Sequence, residues 1–115
     1  MNVEIWYSNG DGTFKHMANM DLAGLNPDSD ENLLEFAYVR TQNHMGSWSQ
    51  GPEFEDGERN SDFHPAITVI EPLHVDEQGR TWGHRSSMMG DIFKIKGKSY
   101  EVDFIGFEEI IEEKI

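Results

Sequence analysis

The stretch from Arg85 to Ile110, RSSMMGDIFKIKGKSYEVDFIGFEEI, constrains the fold of this chain more than any other. Gly90-Asp91 reads as a turn. Ile92, Phe93 and Ile95 follow in a strand-like run, and Lys96-Gly97-Lys98 is a tight connection. Tyr100, Val102 and Phe104 then alternate with Glu101, Asp103 and Ile105, and a second turn at Gly106 leads into Phe107-Glu108-Glu109-Ile110. Two β-branched and aromatic runs joined by a short glycine-containing loop predict an antiparallel hairpin within 85–110. Its packing side chains are expected to be Ile92, Tyr100, Val102 and Phe104, and Gly90, Gly97 and Gly106 turn the chain.

A second strand signal opens the chain, where Val3, Ile5 and Tyr7 alternate with Glu4, Trp6 and Ser8. Asn9-Gly10-Asp11-Gly12 is a turn, and Thr13-Phe14 begins a short return strand. Asn26-Pro27 marks a helix start, with Asn26 as cap and Pro27 in the first helical position. Asp28, Asp30 and Glu31 then suit the positive end of the helix dipole, and Arg40 its negative end. Leu33, Leu34, Ala37, Tyr38 and Thr41 share one face, Phe36 and Val39 widen it, and a helix over about 28–42 is expected. Residues 43–62, NHMGSWSQGPEFEDGERNSD, have no period and read as a long acidic loop, functional or mobile. AITVIE, bracketed by Pro65 and Pro72, reads as a strand with free ends. Leu73, Val75, Thr81 and Trp82 around Gly79 read as a second hairpin.

Five or six short strands, one main helix and an acidic loop make this α+β. The expectation is a single domain over 1–115, built as a small twisted antiparallel sheet or a partly closed barrel. At 115 residues the core is modest, and three Trp, seven Phe and three Tyr supply much of its area. There is no cysteine, which excludes a disulfide framework, a thiolate metal site and a cysteine nucleophile, and fits a reducing cytoplasm. The opening MNVEIWYSNG lacks the features of a signal peptide, and no apolar run approaches the roughly 20 residues of a membrane span.

Charge narrows the partners. With 22 acidic and 9 basic residues the formal net charge is −13, which disfavours direct binding to nucleic acid or to an acidic membrane surface. It would steer a basic protein surface towards the chain, although net acidity also serves plain solubility. Two groups of residues stand out. Trp48, Glu53, Phe54, Glu55, Asp56 and Glu58 in the acidic loop are candidates for contact with a partner, with the alternative that Trp48 and Phe54 tuck onto the core. Arg80, Arg85, Ser86 and Lys94 belong to a locally basic half, with Lys96 and Lys98, and are candidates for a ligand or RNA site. The carboxylates Glu108, Glu109, Glu112 and Glu113 read as a solvated face, and Asp91 as a turn cap.

His64, His74 and His84 recur every ten residues, but this is no metal-ligand spacing, and His16 and His44 do not complete one. Ser86-Ser87 sit in no nucleophile elbow, and the glycines form no phosphate-cradling loop. No catalytic residue, metal or cofactor is expected.

Arg85-Ser86, Gly90-Asp91, Gly97, Tyr100-Glu101-Val102-Asp103 and Gly106-Phe107-Glu108-Glu109-Ile110 resemble a signature of small phage and mobile-element proteins. It runs R-S-x-S-x-G-D, an apolar strand, G-x-x-Y-x-V-x, then G-F-x-E-I, and it includes the YodL-like domains of integrative elements. The resemblance covers about a quarter of the chain, and Met88 stands where the second serine would fall. More loosely, the hairpin is similar to those of PUA-like and ASCH barrels. The first resemblance implies a phage or plasmid accessory protein with no catalytic set, working in the host bacterial cytoplasm. Combined with the charge, it leads to the expectation of a non-enzymatic protein that binds a basic host protein, for instance as a DNA mimic or defence inhibitor. The second implies a nucleic-acid or small-ligand binding module.

Overall fold

The alternation of Val3, Ile5 and Tyr7 builds β1 (Asn2–Ser8), with those three side chains buried. A computed structural model of the chain describes residues 2–23 and 29–110. After the Asn9–Thr13 turn, closed by Asn9 N–H donating to the Thr13 carbonyl at 2.9 Å, the return strand β2 (Phe14–Asp21) is a full-length partner to β1. Its pattern is hidden in the sequence by a β-bulge. Ile5 pairs with Ala18 but Trp6 with His16, so Met17 has no partner on β1 and the alternation changes phase there. Met17 and Ala18 are consequently both buried, and the freed Met17 carbonyl accepts Ile70 and Glu71 N–H instead.

The helix α1 (Asp30–Arg40) starts at a cap two residues beyond the expected Pro27. Ser29 is the cap, in extended conformation, and its hydroxyl accepts Asn32 N–H at 3.2 Å. Asn26, Pro27 and Asp28 lie outside the described residues, as do Glu112 and Glu113 at the other end. Leu33, Leu34, Ala37 and Thr41 are buried on one face, as their spacing predicts, and Val39 points outward. The remaining elements are β3 (Ile67–Val69), β4 (His74–Val75), β5 (Thr81–Trp82), β6 (Ile92–Ile95), β7 (Lys98–Val102) and β8 (Phe107–Ile110).

Six strands form one antiparallel sheet in the order β3-β2-β1-β6-β7-β8, and β4-β5 form a separate hairpin. The sheet is open. The C-terminal hairpin does not curl on itself into a barrel, because β6 is taken by β1 on one side and β7 on the other. The described residues hold eight strands rather than five or six. The bulged β2 is longer than it reads, and β8 is a strand of its own behind a turn at 103–106. That turn also corrects the role of Phe104. β7 ends at Val102, Asp103 N–H donates to the Gly106 carbonyl, and Phe104 is left 83% exposed beside Ile105 at 85%. The β6–β7 connection is two residues, Lys96 and Gly97, with φ of 54° and 77°, the doubly left-handed turn that matches strand twist.

One core joins all of this. Leu33, Leu34 and Ala37 share a cluster with Val3, Ile5, Met20, Phe93, Ile95 and Val102, and Trp48 closes it. No helix among the described residues is long and apolar enough to cross a membrane.

Candidate functional site

The segment His84–Asp91 ties β1, the end of α1 and the 43–62 loop together. Asp91 is fully buried, and its carboxylate accepts four N–H groups. Oδ1 takes Ser8 N–H at 2.9 Å and Arg85 Nη2 at 2.8 Å; Oδ2 takes Met88 N–H at 2.8 Å and Arg85 Nη1 at 2.7 Å. The bidentate guanidinium satisfies a carboxylate that burial alone would strongly disfavour. The same hydrogen bonds hold the Arg85 pKa above its ordinary value, against the effect of partial burial. The Arg85 guanidinium also lies over the Tyr7 ring, 4.1 Å from its centroid.

Tyr7 continues the network. Its hydroxyl donates to the Arg85 carbonyl at 3.0 Å and lies 2.9 Å from Ser87 Oγ, which is 2.6 Å from Thr41 Oγ1. Burial pushes the Tyr7 hydroxyl well above the usual tyrosine range, so it stays a neutral donor. Asp91 is thus more than a turn cap: it is the acceptor on which β1, Arg85 and the turn before β6 converge. All four of its donor contacts are internal, so it has the character of a structural carboxylate rather than a general base.

The 43–62 loop is organised by two polar side chains. Asn60, nearly fully buried, donates from Nδ2 to the carbonyls of Ser47 at 2.6 Å and Gly51 at 2.8 Å, and accepts Ser47 N–H on Oδ1. Asp62 Oδ2 accepts three successive backbone N–H groups, from His44, Met45 and Gly46. Partial burial works against the Asp62 charge, but those three donors prevail and hold its pKa below the usual carboxylate value. Gly83 is fixed by contact: a Cβ there would collide with Ser47 Oγ.

Within this frame the acidic candidates sit on a small turn of their own. Phe54 N–H donates to the Glu58 carbonyl at 2.8 Å, Gly57 N–H to Phe54, and Glu53 bridges to Arg59. Glu53, Glu55, Asp56 and Glu58 are exposed and Phe54 is half-buried. Glu53, Phe54, Glu55 and Asp56 line a groove of about 510 Å³ that also takes in Leu73 and Arg80. Trp48, grouped with them by sequence, is instead a core residue at 1% exposure. Its Nε1 donates to the Arg85 carbonyl at 2.8 Å and its ring meets Tyr7 edge-on, so it cannot be a surface anchor for a partner.

The basic candidates are not brought together. Arg80 borders the acidic groove, bonded to Asp76 at 3.0 Å and lying over Trp82. Arg85 belongs to the buried network and borders a separate cleft of about 430 Å³, where Lys15 and Glu71 pair at 3.3 Å. Ser86 Oγ accepts Asn43 N–H at 2.7 Å. Lys94 lies over the Trp6 ring at 4.5 Å and borders a third depression, with Lys96. The histidines are likewise dispersed: His16 stacks on Trp6, His64 meets Phe36 edge-on, and His84 packs against Trp48 while its Nε2 lies 2.8 Å from the Glu71 carbonyl. Among the described residues no group of three or more His, Asp or Glu side chains is placed to hold a metal ion.

The sequence pattern does not single out Asn60 or Asp62, and it places Thr41 on the buried helix face without its hydrogen bond to Ser87. The Asx-type residues that end the 43–62 loop were a readable signal, since Asn and Asp recruit backbone N–H groups in irregular chain. Comparison of the chain with protein families, with curated proteins and with solved structures gave no match in any of the three.

Proposed function

We propose that the protein is a non-enzymatic binding module that docks a basic surface of a partner protein on the groove lined by Glu53, Phe54, Glu55 and Asp56. The observation that carries this reading is the composition of the groove. Its carboxylates are exposed, its lining includes the half-buried Phe54 and Leu73, and Arg80, its one cation, is already bonded to Asp76. Such a lining suits a Lys or Arg side chain, which buries an aliphatic stem and presents a charged head. The net charge of −13 adds long-range steering of the same sign. In one specific version the carboxylates stand in for backbone phosphates in the partner's nucleic-acid groove. The setting, an accessory protein of phage or plasmid origin acting on a host protein inside the bacterium, is supported by the signature resemblance alone.

The test is a titration with a fluorescein-labelled lysine-rich peptide at low and moderate salt, on the wild type and on E53Q/E55Q/D56N/E58Q. Neutralising the four is expected to weaken binding about tenfold and to flatten its salt dependence. Equal affinity for both proteins would remove the groove from consideration. If a partner is found, duplex DNA that competes with the protein for it would support mimicry.

A further inference from the structure

We infer that the end of the sheet formed by the turns at Met88-Met89 and Phe104-Ile105 is a second docking surface, for a segment of a partner protein that carries both basic and apolar side chains. The two turns are neighbours: Gly90 N–H donates to the Val102 carbonyl at 2.9 Å and Val102 N–H to the Asp91 carbonyl at 2.8 Å. Their four large apolar side chains are exposed by 51% and 53% at Met88 and Met89, and by 83% and 85% at Phe104 and Ile105. Turn tips usually carry Gly, Asn, Asp or Ser, so Phe and Ile at the two most exposed positions of this one contradict the local rule.

The charge around the tip identifies the occupant. Between Ser99 and Ile110 there are four carboxylates, Glu101, Asp103, Glu108 and Glu109, and no Lys or Arg. Glu101 stands directly opposite Glu108 on the β7–β8 pair, a like-charge juxtaposition that is unfavourable in the free protein. From α1, Glu35 borders the same depression as Asp103 and Phe104, and Glu31 reaches Gly106. An apolar tip flanked by carboxylates on the Phe104-Ile105 side, with the cation on its Met88-Met89 side, Arg85, already bonded to Asp91, complements an apolar side chain flanked by lysine or arginine. It repels a second copy of this chain and an anionic bilayer for the same reason. The inference rests on the reading above only in taking the partner to be basic, and it places the contact at the Met88-Met89 and Phe104-Ile105 turns rather than at the 53–58 groove.

Two short labelled peptides separate the possibilities, one alternating Lys and Leu, the other with Ser in place of every Leu. The wild type is expected to bind the Lys/Leu peptide about tenfold more tightly, and F104S/I105S to lose that preference. E53Q/E55Q/D56N/E58Q is expected to keep the preference while weakening both peptides. M88Q/M89Q, assayed alongside, should lose part of it, and unchanged melting temperatures certify the folds. Equal affinity of the wild type for the two peptides, or a preference that survives in F104S/I105S, overturns this inference and leaves the groove reading standing. Failure of both peptides to bind at low salt overturns both. Self-association, or binding to zwitterionic vesicles, that F104S/I105S abolishes would replace the basic partner by a second copy or by lipid.

Discussion

The turns on either side of the β6–β7 hairpin meet at Val102, to which Gly90 and Asp91 are bonded, yet treat charge and apolar surface in opposite ways. The one before β6 takes a carboxylate, Asp91, out of water entirely and surrounds it with four donors. The one after β7 leaves Phe104 and Ile105 in water and gathers carboxylates around them. In the first, an expensive burial is offset by hydrogen bonds within the protein, which is what a joint between distant parts of the chain requires. In the second, no described residue covers the apolar side chains, which is what a surface kept for another molecule looks like. A charged residue in a turn is therefore no guide to a site by itself; the direction of its hydrogen bonds is.

The comparison breaks most directly at Asp91. Asp91→Ala is expected to lower the unfolding free energy by about 3 kcal/mol, because Ser8 and Met88 N–H and the Arg85 fork lose their acceptor. Thermal unfolding should register it as a fall of about 15 °C; a fall under a few degrees would mean the carboxylate is not the joint described. Tyr7→Phe keeps the ring beneath Arg85 and removes the hydroxyl, so chemical denaturation should show a smaller loss, about 1–2 kcal/mol.

Asp62 offers an intermediate case, a carboxylate with three backbone donors but more exposure. Its folded pKa is depressed, so its contribution to stability is present above the unfolded carboxylate value and is lost as the pH falls through the folded one. Stability measured between about pH 5 and pH 2 should decline less steeply in Asp62→Asn than in the wild type. Parallel declines would show that the three donors do not favour the charged form.

On the other turn the effects are smaller, and one is reversed. Glu101→Lys replaces repulsion across β7 and β8 by attraction to Glu108 and should stabilise the fold by about 0.2–1 kcal/mol in urea titrations. F104S/I105S should change stability by no more than about 0.5 kcal/mol, since Phe104 is 83% and Ile105 85% exposed. A clear loss of stability there would mean that the tip is part of the core after all.

Much of this frame was legible in the residues. Val3, Ile5 and Tyr7, the Leu33–Thr41 face, the Lys96-Gly97 turn and the Gly79 hairpin all declare themselves by period or by turn chemistry. What hid were the places where tertiary structure overrides period. The bulge at Met17 erases the alternation of β2, and Ser29 displaces an Asn-Pro pair as the helix start. Phe104 continues an alternation that its strand has already abandoned. The acidic turn was legible as composition and found again as a groove, but Trp48, read with it, belongs to the core because an indole N–H found the Arg85 carbonyl. The basic candidates do not gather as a group: Arg80 sits in the turn before β5, Arg85 and Ser86 in the irregular segment after it, and Lys94 on β6, each beside different partners.

The position of β1 has a consequence for how the chain folds. β2 can pair with β1 as soon as both exist, and β6, β7 and β8 can form consecutive hairpins unaided, but within the sheet the two halves are joined at β1 and β6, with Ser8 and Asp91 83 positions apart. During synthesis β1 must therefore wait with one edge unpaired until β6 emerges, and closing that long loop should set the folding rate. The same edge makes the C-terminal three-stranded unit exchangeable between two chains at high concentration, a swap in which every bond is native and only its ownership changes.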